Sequence, residues 1–211
     1  MLQHSNDSFD EIINCIINEG VCLLQTDTVF GLICRGDSDK ATNRIINIKQ
    51  RKHNAFGYFV KNMKMAKKYV KIETEMQNNL FRRAFPGYFT LIFEATDVAI
   101  NTLPEVGFGM NKNGKKTLGI RIPKNDFSLS LLNDDRIKFP ILATSANITR
   151  HMSPTKFDEI DDEIIKNVDI IYYDDNCLMA NRGSTIIDLS SDNIEIVRLG
   201  SGLLDIIDIK Q

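Results

Sequence analysis

Three short segments of this chain carry side chains that could handle an anionic substrate. Thr26-Asp27-Thr28 supplies hydroxyls, residues 49–53 (Lys-Gln-Arg-Lys-His) supply cations, and residues 144–147 (Thr-Ser-Ala-Asn) supply hydroxyls and an amide. Cationic side chains neutralise phosphate or carboxylate charge, and short hydroxyl and amide groups form aimed hydrogen bonds without filling a pocket. The three segments therefore indicate phosphate-handling chemistry.

The same segments also have structural interpretations, and the sequence leaves them open. Thr26-Asp27-Thr28 could form a turn in which the side chains bond nearby backbone amides. Residues 145–147 could cap a helix, while Lys49 and Arg51 end a predicted helix whose negative pole favours cations in any case. Position after a buried strand favours a functional role for the first segment.

Two arginines and one glycine-rich loop need separate interpretation. Arg121 and Arg198 stand on predicted strands, where they could be solvated edge charges, but arginines that face inward are unfavourable without an anionic partner. Residues 109–115 spell G-x-x-x-x-G-K. Lys116 stands where a P-loop needs Ser or Thr, and a strand is predicted to follow instead of a helix, so this segment is predicted to be a basic surface loop.

Length and composition indicate one α/β domain. The chain has 211 residues, 43% hydrophobic and 26% charged, and no linker rich in Pro, Gly or Ser. A single domain over residues 1–211 is therefore predicted. The net charge of -2 is too small to predict a polyanion partner by itself.

The remaining composition signals concern metals and location. The four cysteines lie far apart without a CxxC pair, and His53 and His151 are isolated, so reduced thiols and no metal ligands are predicted. The N-terminus is polar and no apolar run is long enough to span a bilayer. A cytoplasmic protein without a membrane partner is expected.

Helix and strand patterns alternate first, and strands crowd the second half. A helix is predicted from Ser8, ending with Gly20 in the left-handed conformation, and Ser38 is predicted to cap another. Further helices are predicted at residues 64–69, 74–84, 127–132 and 157–166. Strands are predicted at residues 21–24, 56–60, 89–94, 117–122, 141–143, 168–173, 185–189 and 194–198. This order favours a twisted mixed sheet over a purely parallel one.

Seven short motifs follow one another in a recognisable order. They are TDTVFGL at 26–32, KQR at 49–51, FPG at 85–87, RIP at 121–123, SAN at 145–147, SPT at 153–155 and STIID at 184–188. Together they resemble the YrdC-like threonylcarbamoyl-adenylate synthases of the short, single-domain bacterial type. The resemblance implies an α/β fold: a twisted mixed parallel/antiparallel sheet, flanked by helices, with an open electropositive concave cavity.

Members of that family are nucleotidyltransferases. They combine L-threonine, bicarbonate or carbon dioxide, and ATP into threonylcarbamoyl-AMP and pyrophosphate, and partner proteins use the product to modify tRNA beside the anticodon. The resemblance therefore implies an L-threonylcarbamoyladenylate synthase whose partners are ATP, L-threonine, bicarbonate, tRNA and tRNA-modification proteins. Mg²⁺ accompanying ATP is the cofactor it implies.

Carried over by position, the resemblance divides the site into two parts. Threonine binding is implied for Thr28, Arg121, Ala143 and Ser184, with Arg121 facing the carboxylate. ATP binding is implied for Arg51, Thr117, Ser145, Asn147, Ser153 and Arg198. Lys49 and Arg51 are the candidate catalytic residues, because their charge can stabilise charge that grows on the α-phosphoryl group.

The chain departs from the family pattern at several places. Gln25 and Leu199 each replace a proline, Phe30 replaces a tyrosine, and residues 55–60 have lost the Asn-Pro-Leu segment and a later histidine. The alternative function is an RNA-binding module for double-stranded RNA or tRNA, in which the same basic cavity holds the RNA backbone. The basic residues that could extend such a track are Arg82, Arg83, Lys112, Lys115 and Lys116.

Overall fold

A computed structural model of the chain describes residues 8–50, 56–149, 151–174, 177–191 and 193–203. The ten strands in these ranges form a single sheet in which some neighbours run parallel and others antiparallel. Helices pack on both faces of this sheet. The predicted α/β class with a mixed sheet is therefore confirmed.

The predicted helices and strands occur in the predicted order, with bounds close to those expected. The described α-helices are α1 (Ser8–Ile17), α2 (Asp39–Ile48), α3 (Met63–Tyr69), α4 (Glu75–Ala84), α5 (Asp97–Thr102), α6 (Asp126–Asn133) and α7 (Asp162–Lys166). The strands are β1 (Val21–Gln25), β2 (Phe30–Arg35), β3 (Gly57–Phe59), β4 (Phe89–Glu94), β5 (Gly109–Met110), β6 (Lys116–Arg121), β7 (Ile141–Ser145), β8 (Ile170–Tyr172), β9 (Thr185–Asp188) and β10 (Glu195–Arg198). None of the described helices has the length and apolar character that a bilayer crossing requires.

Strand order brings distant segments of the chain together at the centre of the sheet. The order is β10-β9-β4-β6-β3-β7-β2-β1-β8, and β5 lies beside β6 off this path. Parallel pairs join β1 with β8, β3 with β6, and β4 with β9, whereas the other neighbours are antiparallel. The end of β7 pairs with the start of β2, and the Arg121 side chain at the end of β6 reaches the β1–β2 turn.

Local capping signals account for several helix boundaries. Ser38 caps α2, because its hydroxyl accepts a hydrogen bond from the Ala41 amide at 3.1 Å, as predicted. The prediction for Gly20 is wrong: Glu19 takes the left-handed conformation, with φ of 64°. Gly20 is needed for a different reason, since a Cβ there would lie 2.3 Å from the Cys15 sulfur.

Strands β2 and β5 and helix α5 were not predicted, and one prediction merged two elements. Strand β2 is buried on both sides over most of its length, so it shows no alternation of polar and apolar residues. Helix α5 is only six residues long, which gives little periodicity to detect. The helix predicted at 157–166 is instead a 3₁₀ turn (Phe157–Glu159) followed by α7.

The two faces of the sheet are covered unequally. One face packs against α2, α3 and α4 in a large apolar cluster that includes Tyr58, Leu91 and Ile187. On the opposite face, α1 and α6 cover one end, where they contact a cluster that includes Ile141. The rest of that face, around Gly57, carries the cavity described below.

Candidate functional site

A cavity of about 400 Å³ opens on the sheet face that α1 and α6 leave uncovered. This volume lies within the roughly 300–1,000 Å³ typical of small-molecule sites. Most of the predicted site residues line its wall, namely Thr28, Lys49, Arg121, Ala143, Ser145, Asn147, Ser153, Ser184 and Arg198. Residues separated by most of the chain therefore converge on one hollow, while their individual roles stay predictions.

Two predicted site residues are not placed on this wall. Arg51 lies outside the described residues. Thr117 is buried on β6, opposite Glu94 on one side and Gly109 on the other. Since a strand rises about 3.3 Å per residue, Thr117 lies about 13 Å along β6 from Arg121. Thr117 is not among the residues that line the cavity, so its contact with ATP stays a prediction without support from this site.

The Thr26-Asp27-Thr28 segment is a tight turn between β1 and β2, and it also contributes to the cavity wall. The Thr26 hydroxyl donates to the Val29 carbonyl at 2.7 Å and accepts from the Thr28 and Val29 amides at 3.2 and 3.3 Å. The Thr28 hydroxyl lines the cavity and accepts a hydrogen bond from Arg121 at 2.9 Å. Thr26 therefore stabilises the turn, and Thr28 faces the site.

Arg121 is buried at the end of β6 and has a carboxylate partner within the protein. Its Nη2 donates to Asp27 Oδ1 at 2.6 Å, and the other Asp27 oxygen accepts from the Lys124 amide at 2.8 Å. Burial lowers the pKa of Arg121, and the charge of Asp27 opposes that shift. Arg121 is thus not a solvated edge charge. Asp27 was not assigned a role from the sequence, although it stands between the two threonines of the motif.

Lys49 follows α2, and its buried ammonium group faces carbonyl oxygens. Its Nζ donates to the Ser145 carbonyl and, at 2.7 Å, to the Asn147 carbonyl. The Lys49 carbonyl in turn accepts hydrogen bonds from the Thr149 amide and hydroxyl, at 3.1 and 2.9 Å. Lys49 therefore supports the loop that carries Ser145 and Asn147, and its catalytic role stays a prediction.

Replacing Lys49 with methionine is expected to loosen this loop. The two carbonyls would lose a charged donor in a buried setting, so the free energy of unfolding should fall by about 2 kcal/mol. Urea denaturation measures this loss, and hydrogen exchange should show faster exchange across residues 145–149. Lys64→Met, at an exposed position on α3, is the matched control. Equal stability of the two variants would contradict the supporting role of Lys49.

A β-bulge in β10 turns Arg198 toward the cavity. Ile196 pairs with Ile187, which belongs to the larger core, whereas Arg198 pairs with Ile186, which lines the cavity. Val197 is the additional residue between these pairs. Since alternate residues of a regular strand share a face, Arg198 would otherwise point to the same side as Ile196.

The guanidinium of Arg198 rests on the backbone of the neighbouring strand. Its Nε and Nη2 donate to the Ser184 carbonyl at 3.1 and 2.8 Å, and Nη2 also reaches the Ser184 hydroxyl at 3.3 Å. Desolvation lowers the pKa of Arg198, and the like charges of Arg121 and Arg182 lower it further. Within the described part of the chain, no carboxylate pairs with Arg198. This arrangement favours an anionic ligand.

Several wall residues were not predicted from the sequence. They include Thr90, Thr149, His151 and Gly57. For Thr90 the available signal was a hydroxyl between two apolar residues of a predicted strand. None of the described lining residues is Asp or Glu, the ligands that proteins commonly offer to Mg²⁺. The wall therefore suits Mg²⁺ only as part of a nucleotide, whose own phosphates hold it.

The basic residues around the 109–116 loop are occupied by carboxylates. Lys112 pairs with Glu195 at 3.0 Å, Lys115 pairs with Glu94 at 3.0 Å, and Lys116 pairs with Glu105. The loop joins β5 to β6 in a hairpin, so the exclusion of a P-loop is confirmed. These pairs reduce the positive charge available to an RNA backbone, so they do not favour the RNA-binding alternative.

Comparisons with known proteins agree with this fold. The chain is 29% identical to a putative threonylcarbamoyl-AMP synthase of Methanocaldococcus jannaschii, over 88% of this chain and 82% of that protein. The fold matches that of Pyrococcus abyssi Sua5 complexed with L-threonine, with a TM-score of 0.81 and 24% identity, covering 98% of this chain and 59% of that one. It also matches Escherichia coli YciO, with a TM-score of 0.79 and 23% identity, covering 97% and 95% of the two chains.

A family profile extends the likeness over nearly the whole chain. The Sua5/YciO/YrdC profile, described as telomere recombination, matches residues 14–200. That range contains every predicted site residue, including Arg51 and Thr117. The chain belongs to the Sua5/YciO/YrdC family.

Proposed function

We propose that this protein is an L-threonylcarbamoyladenylate synthase that forms threonylcarbamoyl-AMP and pyrophosphate from L-threonine, bicarbonate and ATP. The observation that carries the proposal is the convergence of Arg121 and Arg198 on one cavity among hydroxyl groups. Relatives named threonylcarbamoyl-AMP synthase support the reaction class, and the threonine complex of Pyrococcus abyssi Sua5 supports the amino-acid substrate.

The two ends of the cavity suit two different substrates. Threonine would lie near the turn after β1, where Thr28, Arg121 and Ala143 meet and where Ser184 offers a further hydroxyl. Its carboxylate would bind the guanidinium of Arg121, since a planar fork of N–H donors matches a carboxylate. ATP would extend past Ser145, Asn147 and Ser153, with its phosphates near Arg198. The two substrates would then meet at the centre of the sheet.

The reaction itself requires little covalent chemistry from the protein. Bicarbonate takes up a proton and loses water to give carbon dioxide, and the threonine amine attacks this carbon dioxide to form a carbamate and releases a proton. A carbamate oxygen then attacks the α-phosphorus in line, the bond to the β-phosphate oxygen breaks, and pyrophosphate leaves. Most of the catalysis would come from positioning of the two substrates and from electrostatic stabilisation of the developing charge. Arg198 would supply that stabilisation, with Lys49 and Arg51 as further candidates. Magnesium supplies charge neutralisation as part of the nucleotide substrate.

We further propose that the product serves tRNA modification. The product is a mixed anhydride of a carbamate and a phosphate, which is reactive toward amines. A second protein can therefore use it to transfer the threonylcarbamoyl group to adenosine. We propose that tRNA-modification proteins use this product, and that the reaction takes place in the cytoplasm. No separate RNA-binding role is needed for that sequence of reactions.

The proposal is tested by following the bicarbonate carbon into the product. Purified protein is incubated with ATP, L-threonine and ¹³C-bicarbonate, and the adenylates are identified by mass spectrometry while pyrophosphate is measured. We expect a labelled threonylcarbamoyl-AMP whose formation, like pyrophosphate release, stops when either threonine or bicarbonate is omitted. Pyrophosphate release that is indifferent to threonine would contradict the proposed reaction.

A further inference from the structure

Thr90 carries a buried hydroxyl near the start of β4, and its neighbours Phe89 and Leu91 are apolar and buried. A buried hydroxyl is unfavourable unless it forms a hydrogen bond. The Thr90 hydroxyl shares one with the Ser184 hydroxyl at 2.8 Å, across the parallel β4–β9 pair. Valine has the same shape, so this hydrogen bond is what distinguishes threonine at this position.

Ser184 is held from two directions at once. Its hydroxyl contacts Thr90 on one side and accepts from Arg198 Nη2 at 3.3 Å on the other, while its carbonyl accepts two further bonds from Arg198. A serine hydroxyl rotates freely unless such partners fix it. With both partners in place, the oxygen has one orientation relative to the cavity wall.

We propose that Thr90 is a positioning residue for the amino-acid subsite: it fixes the Ser184 hydroxyl in the orientation that receives the substrate. The inference rests on the proposed function, because Ser184 is a threonine contact only if the chain binds threonine. Pre-orienting a polar group before the ligand arrives improves affinity, since less freedom is lost on binding. Thr90 therefore sets affinity for threonine without being a residue of the chemical step.

Thr90 also has a packing role, and the test must separate it from the hydroxyl. A Cβ built on Gly119 would lie 3.2 Å from Thr90 Cγ2, so the methyl group fills the space above that glycine. Thr90→Val keeps the shape and removes the hydroxyl. Thr90→Ser keeps the hydroxyl and removes the methyl group. If Thr90 had only a packing role, threonine affinity and stability would both fall more in Thr90→Ser than in Thr90→Val.

The experiment measures threonine binding by calorimetry and unfolding by urea on the full chain. Loss of one hydrogen bond corresponds to a roughly five- to tenfold rise in the dissociation constant. We therefore expect that rise in Thr90→Val with little change in stability. Thr90→Ser is expected to show the opposite pattern, with affinity within about twofold of the wild type and lower resistance to urea.

The other outcomes overturn either the positioning role of Thr90 alone or the proposed function together with it. If Thr90→Val binds threonine as the wild type does, or if Thr90→Ser binds more weakly than Thr90→Val, the positioning role of Thr90 is wrong and the proposed function stands. If the wild-type chain binds no threonine, with or without a non-hydrolysable ATP analogue, both the proposed function and this inference are overturned.

Discussion

Replacing Arg198 with alanine is expected to reduce the rate of pyrophosphate release by about 100-fold or more, the size of effect found when one donor to developing charge is removed. Arg198 has no carboxylate partner among the described residues, and it lies on the cavity wall against Ser184. Its positive charge is therefore available to a phosphate. Initial rates at saturating threonine, bicarbonate and ATP measure the loss.

Two further variants test whether charge or shape explains that loss. Arg198→Lys keeps the charge but cannot donate two parallel hydrogen bonds, so an intermediate rate is expected. Lys112→Ala removes an exposed cation that pairs with Glu195 on the same strand as Arg198, and its rate should match the wild type. If Arg198→Ala and Lys112→Ala have the same rate, Arg198 does not act on the substrate.

Replacing Asp27 with alanine is expected to give the largest loss of stability. Asp27 and Arg121 form an ion pair with side chains only 3% and 8% exposed, and removing one partner leaves a buried charge without compensation. Such removals lower the free energy of unfolding by about 3–5 kcal/mol. Threonine binding should fall as well, because Arg121 loses the partner that orients it. Urea denaturation and calorimetry measure the two effects.

The double variant Asp27→Leu/Arg121→Met separates the energy of the pair from the penalty of an unpaired charge. Apolar replacement of both members is often far less destabilising than removal of one, so the double variant should be more stable than Asp27→Ala. Asp135→Ala, in which the removed side chain is fully exposed, should change stability by less than about 0.5 kcal/mol. An Asp27→Ala variant as stable as Asp135→Ala would contradict the buried pair.

Local patterns in the sequence were sufficient for most of the helices and strands, but they did not give the strand order. Strand β4 was predicted with the bounds it has, because aromatic and β-branched residues lie between a Pro-Gly turn and a change of composition. Ser38 gave the start of α2 because a cap is a local hydrogen bond. Strand β2 was missed for the opposite reason: burial on both sides removes the alternation that identifies a half-buried strand.

The contacts inside the site could not be predicted, because they join residues that are distant in sequence. Asp27 and Arg121 are 94 positions apart, and Lys49 and the Ser145 carbonyl are 96 positions apart. Residue types indicated that cations and hydroxyls would bind an anionic substrate, and the family resemblance indicated which residues would bind threonine and which would bind ATP. Neither could show that Arg121 already has a carboxylate partner or that Lys49 faces carbonyl oxygens. Those facts depend on strand register, which a single sequence does not specify.

The most direct test of the central claim is a crystal structure of the protein with L-threonine and a non-hydrolysable ATP analogue bound together. We expect both ligands in the one cavity, with the threonine carboxylate at Arg121, its hydroxyl or amine within reach of Ser184, and the triphosphate beside Arg198. The threonine nitrogen and the α-phosphorus should be close enough for a single carboxyl group to bridge them. Either ligand bound on a different surface, with the cavity left empty, would contradict the proposed synthase.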